Sequence, residues 1–327
     1  MADTPSRTYA LGIDIGGTNT KFGLVNHRGD ISYHGSILTH RHDTVEEFIE
    51  DLHAAVMPAI LESGGIGCIR GIGIGAPNGN IYKGTIEYAP NLKWKGIIPI
   101  ASMIGRKFGV PARLTNDANA AAVGEMTYGA AKGMRDFIMI TLGTGVGSGI
   151  VANGQLIYGH DGFAGELGHN IIIPDGRLHP GTSEHGSLEA YASATGVART
   201  AVEFLERDES VPSLMRNYPK DEIDSRIVYE CAIQGDSLAI EVYQFTGRIL
   251  GLALANFVMF SSPEAIIFFG GMSKAGDLIM KPTRENMEMH LLPIFKNKVK
   301  LVFSELKEAD AAILGASALV WEMKDPS

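Results

Sequence analysis

The fold is decided by the stretch Ile13-Asp-Ile-Gly-Gly-Thr-Asn-Thr-Lys-Phe-Gly23 and by its repeat, Ile140-Thr-Leu-Gly-Thr-Gly-Val-Gly-Ser-Gly-Ile150. Each copy is an apolar strand, a tip of glycine and threonine, and a second strand. Residues 25–31 and 151–157 then supply, in each copy, a turn containing Asn and Gly and the start of a third strand. Two such βββ units predict two similar domains that face each other across a cleft.

The glycines at the two tips suggest a binding site for phosphate. Glycine lets backbone N–H groups approach an anion, so Gly16, Gly17 and Thr18 in the first copy and Thr144 and Gly145 in the second could cradle phosphates. A plain glycine hairpin is the simpler alternative for either tip alone. Neither tip is a Walker loop or a dinucleotide-binding fingerprint, because a strand rather than a helix follows it.

A second informative stretch is Leu114-Thr-Asn-Asp-Ala-Asn-Ala-Ala-Ala-Val-Gly-Glu125, where a short apolar strand runs into an alanine-rich helix. Asp117 lies at the junction. It could serve only as the N-cap, which accepts hydrogen bonds from free backbone N–H groups. It could also be a general base at the mouth of a cleft, and this segment alone leaves both interpretations open.

Further segments of the N-terminal half complete the expected domain. The spacing of apolar residues predicts an amphipathic helix over residues 44–63, with Val45, Phe48, Ile49, Leu52, Val56 and Ile60 on its buried face. Asn78 and Gly79 lie in a polar loop after a short strand. Asn91 begins a loop that either reaches toward a ligand or is a surface connection with Trp94 packed beneath it.

The C-terminal half predicts two helices and a strand. The apolar run Ile249–Phe260 is too short to span a bilayer, so it is interpreted as a buried helix. The strand after it ends in Gly270-Gly271, a junction that could pack against a flat ligand such as a purine or could simply be a tight turn. The alanine-rich segment 309–327 is expected to form a helix that packs on the first domain.

Composition narrows the class of protein. The 327 residues are 45% hydrophobic and 20% charged, which is ordinary for a globular protein. The formal net charge of −9 argues against a nucleic-acid binder. Only two cysteines occur, Cys68 and Cys231, without disulfide or metal spacing, and the first eight residues lack a signal-peptide core. These features predict a cytoplasmic protein that does not bind a membrane.

Together the motifs resemble the ROK family of sugar kinases and regulators, on the actin/hexokinase ATPase fold. The matching segments span nearly the whole chain in family order: Asp14–Lys21, Leu114–Ala121, Leu142–Gly147, Gly165–His169 (Gly-Glu-Leu-Gly-His), Gly186–Glu189 (Gly-Ser-Leu-Glu) and Gly270-Gly271. The resemblance implies an α/β fold of two actin-like (ribonuclease H-like) domains. Each is a mixed βββαβαβα-type sheet flanked by helices, and a cleft lies between them. The expected domains are 1–117, with the helix 309–327 packed back on it, and 118–308.

The resemblance also implies the residues of the site. Asp117 would be the catalytic base that takes the proton of a sugar hydroxyl attacking the γ-phosphate of ATP. The implied sugar-binding set is Asn78, Gly79, Asn91, Asn116, Asp117, Glu166, His169 and Glu189. The implied ATP-binding set is Asp14 (near Mg²⁺), Gly16, Gly17, Thr18, Lys21, Thr144, Gly145, Gly270 and Gly271. Locally, Glu166 and His169 could instead be a helical surface pair, and Glu189 could merely favour a helix first turn.

The sequence departs from the family pattern at one place. Members often bind structural zinc through the histidine of the Glu-x-Gly-His element and three cysteines before the Gly-x-Leu-Glu element. Residues 169–189 contain no cysteine. His169 and His179 are the main residual ligand candidates, with His185 and Glu184 nearby. Because closed zinc sites are usually rich in cysteine, we predict that structural zinc is absent.

The resulting prediction is an ATP-dependent hexose kinase that uses Mg²⁺, with glucose phosphorylated at its 6-hydroxyl as the first choice. An N-acetylmannosamine, N-acetylglucosamine or fructose kinase is the enzymatic alternative. A sugar-sensing regulator is the non-enzymatic alternative; the first strand starts at Tyr9, so we expect no preceding DNA-binding domain. The partners expected are a hexose, ATP and a second copy of the chain in a homodimer, with no nucleic acid.

Overall fold

A computed structural model of the protein describes residues 8–323. Residues 1–7, on which the signal-peptide prediction mainly rests, lie outside the described part of the chain. Residues 324–327, the end of the expected last helix, also lie outside it. The chain divides into two compact units. The first comprises the chain up to Met134, the segment Leu156–Gly165 and the chain from Glu305 onward. The second comprises Arg135–Gln155 and Glu166–Ser304.

The strands within residues 8–323 form two five-stranded sheets and one small three-stranded sheet. In chain order they are β1 (Tyr9–Ile15), β2 (Asn19–Asn26), β3 (Ile31–Leu38), β4 (Ile69–Gly75), β5 (Gly79–Asn80), β6 (Thr85–Glu87), β7 (Ile97–Ile98), β8 (Ala112–Thr115), β9 (Phe137–Leu142), β10 (Val146–Ala152), β11 (Gln155–Leu156), β12 (Ala265–Phe269) and β13 (Lys300–Phe303).

The helices flank these sheets. In chain order they are α1 (Val45–Glu62), α2 (Ile100–Phe108), α3 (Asp117–Tyr128), α4 (Glu189–Ala192), α5 (Ala194–Arg207), α6 (Ser225–Ile233), α7 (Ser237–Ser261), α8 (Asp277–His290) and α9 (Glu308–Trp321). The apolar face predicted for α1 is buried, so that prediction is confirmed.

The two large sheets have the same topology, which confirms the internal repeat. The first has the order β3-β2-β1-β4-β8 and the second β11-β10-β9-β12-β13. In the first, β1 pairs antiparallel with β2 and parallel with β4, and β4 pairs parallel with β8. In the second, β9 pairs antiparallel with β10 and parallel with β12, which pairs parallel with β13. The predicted α/β class with two similar domains is confirmed.

Helix α9 packs on the first sheet because glycines leave room for its backbone. Gly12 of β1 faces Gly73 of β4 in the parallel register. A Cβ atom at Gly12 would lie 2.3 Å from the Ile313 carbonyl oxygen, and one at Gly73 would lie 1.8 Å from the Ala316 carbonyl oxygen. The C-terminal segment therefore belongs to the first unit. That unit also includes α3, so it continues beyond residue 117.

Helix α7 is longer than the apolar run from which it was predicted. It extends over 25 residues and is by length and composition capable of crossing a membrane. Its most apolar 18-residue window is 67% buried inside the structure. The interpretation as a buried core helix is confirmed, while the argument that the helix is too short for a bilayer was wrong.

Candidate active site

The carboxyl ends of β1, β4 and β8 bring Asp14 next to Asp117. Asp14 faces Gly75 in the β1–β4 register, and Gly75 faces Thr115 in the β4–β8 register. A Cβ atom added at Gly75 would lie 3.6 Å from Asp14 Oδ1 and 3.8 Å from Asp117 Cα. Two carboxylates that come from separate sequence motifs therefore border the same glycine.

Both carboxylates have raised pKa values. Burial, and secondly the charge of Asp117, raise the pKa of Asp14 to about 6, against the lowering effect of Lys21, which lies opposite Asp14 in the β1–β2 hairpin. Asp117 keeps an exposed surface, yet the loss of surrounding water raises its pKa, against the lowering effect of the backbone hydrogen bond from Ala118. Two neighbouring carboxylates with raised proton affinity suit proton transfer, and in their ionised form they suit the binding of a hard cation.

Asp117 is not the helix cap. Asn116 is the N-cap, since its backbone is extended and its Oδ1 accepts a hydrogen bond from the Asn119 N–H at 2.8 Å. Asp117 is the first helical residue, and its Oδ1 accepts from the Ala118 N–H at 2.8 Å. The N-cap interpretation of Asp117 was wrong. The capping bond uses one lone pair of the Asn116 amide oxygen, and the amide nitrogen is a further polar group of this side chain.

The predicted loop residues of the first unit lie against these two motifs. A Cβ atom at Gly79 would be 2.4 Å from the Thr115 carbonyl oxygen, so this loop covers the end of β8. Asn78 has a left-handed backbone (φ 51°), and its side-chain nitrogen donates to the Glu87 carbonyl at 3.0 Å. A Cβ atom at Gly17 would lie 2.6 Å from the Asn91 carbonyl oxygen, which places Asn91 on the first glycine tip.

In the second unit, Glu189 touches the second glycine tip. It is the first residue of α4, and its Oε2 accepts the Val146 N–H at 2.6 Å. A Cβ atom at Gly145 would lie 2.4 Å from the same oxygen, so glycine leaves the room this carboxylate occupies. The other oxygen, Oε1, lies 2.6 Å from His179 Nε2. A predicted sugar-binding residue and a predicted phosphate-binding tip are therefore in direct contact.

Glu166 and His169 lie beside the same tip. Glu166 precedes a 3₁₀ turn, Leu167–His169, of which His169 is the last residue, so the pair is not on an α-helix. His169 Nε2 lies 4.0 Å from Glu166 Oε2, and both side chains are exposed. A Cβ atom at Gly168 would lie 2.1 Å from the Val146 carbonyl oxygen, so the turn packs tightly on the start of β10. The ring of His169 meets that of His179 edge to face, 5.7 Å between centroids.

The ligand set does not fit a structural zinc ion. His179 uses both ring nitrogens within the protein, Nε2 toward Glu189 and Nδ1 toward the Thr182 N–H at 3.1 Å. His185 Nδ1 lies 2.9 Å from the Gly176 carbonyl oxygen. Within residues 8–323, no three His, Cys, Asp or Glu side chains are grouped as ligands for one metal ion.

The sequence did not reveal that the start of α5 lies against the second glycine tip. Ser193 caps this helix, the Ala194 N–H donates to the Gly143 carbonyl at 2.8 Å, and Thr195 Oγ1 lies 3.2 Å from the Thr144 carbonyl. The positive end of a 14-residue helix thus lies at a predicted phosphate site. The Ser193 cap was a usable local signal, but its position beside Thr144 depends on the tertiary fold.

Sequence reasoning also missed a cavity beside Gly271. It has a volume of about 420 Å³. Its lining residues come from α6, from α7 and from the turn after β12: Ser225, Arg226, Tyr229, Glu230, Tyr243, Gly271, Met272, Lys274 and Ala275. Apart from the glycine, these residues form no sequence motif, because they meet only when α6, α7 and the turn pack together.

The chain is similar to known sugar kinases over nearly its full length. The model of the ROK family matches residues 10–323. The glucokinase of Halalkalibacterium halodurans is 35% identical, over 98% of this chain and 97% of that protein. The glucokinase of Thermotoga maritima is 33% identical, over 95% and 97%. A ROK family glucokinase from Streptomyces griseus, solved in complex with glucose and AMPPNP, is 32% identical with a TM-score of 0.78, over 95% of this chain and 98% of that one.

Proposed function

The chain belongs to the ROK family, and on this premise we propose that it is an ATP-dependent hexose kinase that phosphorylates the 6-hydroxyl of glucose. Its relatives of 33% and 35% identity over nearly whole lengths are glucokinases. Within the molecule, the proposal is carried by one observation: Asp117 is an exposed carboxylate of raised pKa, next to Asp14 at the end of the first sheet.

Asp117 is the general base of the proposed reaction. It accepts the proton of the sugar 6-hydroxyl as that oxygen attacks the γ-phosphoryl group of ATP, and ADP leaves. A base works best when its pKa approaches the ambient pH, and loss of surrounding water shifts Asp117 in that direction. The N-terminus of α3 favours its ionised form, and the backbone hydrogen bond from Ala118 lowers its pKa.

Asp14 is the residue proposed to hold the magnesium ion of Mg-ATP. A carboxylate with a pKa of about 6 is ionised at neutral pH but poorly solvated, which favours pairing with a cation. The ion would neutralise charge on the transferring phosphates. Lys21 and the backbone of Gly16, Gly17 and Thr18 supply further groups for phosphate oxygens in the first unit.

The second unit supplies the remaining proposed contacts of the sugar and the phosphates. Glu166 and Glu189 accept hydrogen bonds from sugar hydroxyls, and His169 forms a hydrogen bond with a sugar hydroxyl. Thr144 and Gly145 bind phosphate. The contact of Glu189 Oε2 with the Val146 N–H supports this proposal, because the Glu189 carboxylate lies against the second glycine tip. The sugar contacts proposed in the first unit are Asn78, Gly79, Asn91 and Asn116.

The cavity beside Gly271 is the proposed adenosine site. Its volume of about 420 Å³ is adequate for a nucleoside, and two tyrosines, Tyr229 and Tyr243, line it. Gly270 has a positive φ of 103°, and a Cβ atom there would lie 2.4 Å from the Leu142 carbonyl oxygen. Glycine at this position therefore lets the turn pack against β9 and leaves Gly271 at the cavity.

We also propose a homodimer located in the cytoplasm. Helices α7 and α8 run in the same direction, since Gly247 packs on Pro282 and Gly251 on Met287. Large exposed apolar side chains lie near the end of α7 (Phe260, 81% exposed), near the end of α8 (Met289, 68%) and in the segment just after α8 (Ile294, 63%). A second copy would bury this surface. Both cysteines are buried and unpaired, in keeping with a reducing compartment.

The function is tested by measuring ADP formation with Mg-ATP over a panel of sugars. The panel contains glucose, mannose, fructose, N-acetylglucosamine and N-acetylmannosamine, with each product identified by mass spectrometry. We expect glucose to give the highest kcat/KM and a 6-phosphate product. A higher kcat/KM with an N-acetylhexosamine would reassign the substrate, and ADP formation with none of the sugars would contradict the kinase assignment.

A further inference from the structure

We propose that His179 is a positioning residue that holds Glu189 in its sugar-binding orientation, and that the loop carrying it does so without a metal ion. The inference rests on the proposed function, because it takes Glu189 as a sugar-binding residue. It concerns residues 170–188, the segment in which the family pattern has zinc-binding cysteines and this chain has none.

The hydrogen bonds of His179 fix its tautomer. The Thr182 N–H donates to Nδ1 at 3.1 Å, so Nδ1 acts as the acceptor. The ring hydrogen of the neutral imidazole therefore lies on Nε2, which donates to Glu189 Oε1 at 2.6 Å. The His179 side chain is only 13% exposed and that of Glu189 18%, so water competes weakly for this bond.

Glu189 accepts two hydrogen bonds, one from His179 and one from the Val146 N–H of the β9–β10 hairpin. Oε1 of Glu189 is held by His179 and Oε2 by the Val146 N–H, so both oxygens of the carboxylate are fixed in direction. Each carboxylate oxygen has a second lone pair, which leaves acceptor capacity for a sugar hydroxyl. Without His179, only the hydrogen bond from the Val146 N–H would hold the carboxylate. The carboxylate would then be free to rotate, and Oε1 would no longer be fixed in direction toward the sugar.

Arg177 anchors the same loop on the helices behind it. Its Nη1 donates to the carbonyl oxygens of Ala190 at 2.9 Å and Gly196 at 3.2 Å. Its Nη2 donates to Thr200 Oγ1 at 3.1 Å, and its guanidinium stacks 4.5 Å from the centroid of the Tyr191 ring. These contacts fix the backbone at Arg177, two residues before His179, against α4, which begins with Glu189, and against α5. Side-chain hydrogen bonds here supply the order that zinc would otherwise supply.

Two substitutions separate the two bonds of His179. His179→Asn places a side-chain oxygen near the position of Nδ1, so it keeps the acceptor for Thr182 but loses the donor to Glu189. His179→Gln places an amide nitrogen near the position of Nε2 and keeps that donor. We expect His179→Asn to raise the KM for glucose about tenfold, with kcat and the KM for ATP changed less than about threefold, and His179→Gln to restore most of the loss. His185→Ala, in the same loop, is the control and should leave the KM for glucose unchanged.

The experiment distinguishes the inference from the function on which it rests. Glu189→Gln is measured in parallel: an unchanged KM for glucose there would remove the sugar-binding role of Glu189 itself. If Glu189→Gln raises that KM and His179→Asn does not, the positioning role of His179 is overturned. Elemental analysis of protein purified with added zinc tests the metal-free loop. We expect less than about 0.1 zinc per chain and no change of Tm with EDTA. Binding of about one zinc per chain, with a lower Tm after EDTA removes it, would overturn the metal-free loop.

Discussion

Asp14 and Asp117 both border Gly75, and the charge of Asp117 adds to the effect of burial in raising the pKa of Asp14 to about 6. The ordinary value for this side chain is 3.8. Between these two values the folded protein holds a proton on Asp14 that an unfolded chain has released. By linkage, the contribution of Asp14 to stability is therefore greatest at low pH and is lost as the pH rises through about 6.

The first prediction concerns Asp14→Asn without nucleotide or Mg²⁺. An amide has no proton to release, so we expect the variant to be more stable than the parent at neutral pH. The difference should shrink as the pH falls from about 6 toward about 4. Urea unfolding across that range measures it, with the exposed Asp221→Asn as control. Parallel stability curves for parent and Asp14→Asn would contradict the raised pKa.

The second prediction concerns Asp117→Asn. The amide oxygen of asparagine can still accept the Ala118 N–H, which Asp117 Oδ1 accepts at 2.8 Å, so α3 should start normally. The amide cannot take a proton from a sugar hydroxyl, and kcat should fall by about 10²–10⁴-fold. Steady-state kinetics and isothermal titration with glucose check this together. Retained kcat would remove Asp117 as base, whereas loss of both glucose binding and the folded state would point to a structural role.

The third prediction uses two glycines of one tip. A Cβ atom at Gly145 would meet Glu189 Oε2 at 2.4 Å and force the carboxylate away from the Val146 N–H. At Gly143, two residues earlier, no atom lies within 4 Å of the added Cβ. We expect Gly145→Ala to raise the KM for glucose by about tenfold or more and Gly143→Ala to change it less than about threefold. Equal effects of the two substitutions would show that the position of Glu189 does not matter.

The fold was largely predictable from sequence because its signals are local. The apolar strands, the glycine tips and the spacing of apolar residues in α1 can each be recognised within a short stretch of sequence. The internal repeat then predicts that the strands and tips form two similar units. The cap of α3 shows the limit. Asn116 and Asp117 are both good N-cap residues, and the choice depends on where the chain stops being extended after β8. That point is set by how β8 pairs with β4, which no single segment encodes.

The sequence names candidate site residues, but it does not predict how they are arranged. The register that places Asp14 beside Gly75 joins two strands separated by the whole of α1. The bond between His179 and Glu189 likewise depends on how residues 170–188 fold back, and the cavity beside Gly271 depends on α6 and α7. Sequence motifs supply the candidate side chains, whereas long-range packing decides which of them touch.

The fourth prediction tests the packing of α9 on the first sheet. A Cβ atom at Gly73 would lie 1.8 Å from the Ala316 carbonyl oxygen, and a helix backbone cannot move aside as a flexible side chain can. We expect Gly73→Ala to lower the free energy of unfolding by about 3 kcal/mol or more. Gly75→Ala, on the same strand, would meet its nearest atom, Ala120 Cβ, at 3.3 Å and should cost clearly less. Chemical denaturation measures the free energy of unfolding of both variants and checks which loses more stability. Equal losses would contradict the close approach of α9 to Gly73.

The fifth prediction tests the proposed homodimer through exposed apolar residues near the end of α7 and just after α8. Phe260 is 81% exposed and Ile294 63%, so a charge at either position should not disturb the fold of one chain. If a second copy covers this surface, burying an unpaired carboxylate there is strongly unfavourable, and Phe260→Asp with Ile294→Asp should halve the mass seen by light scattering at micromolar concentration. Tyr88→Asp, at another exposed aromatic (68%), is the matched control in the first unit and should leave the mass of the parent unchanged. A parent that is monomeric, or a double variant that stays dimeric, would show that this surface does not join two copies.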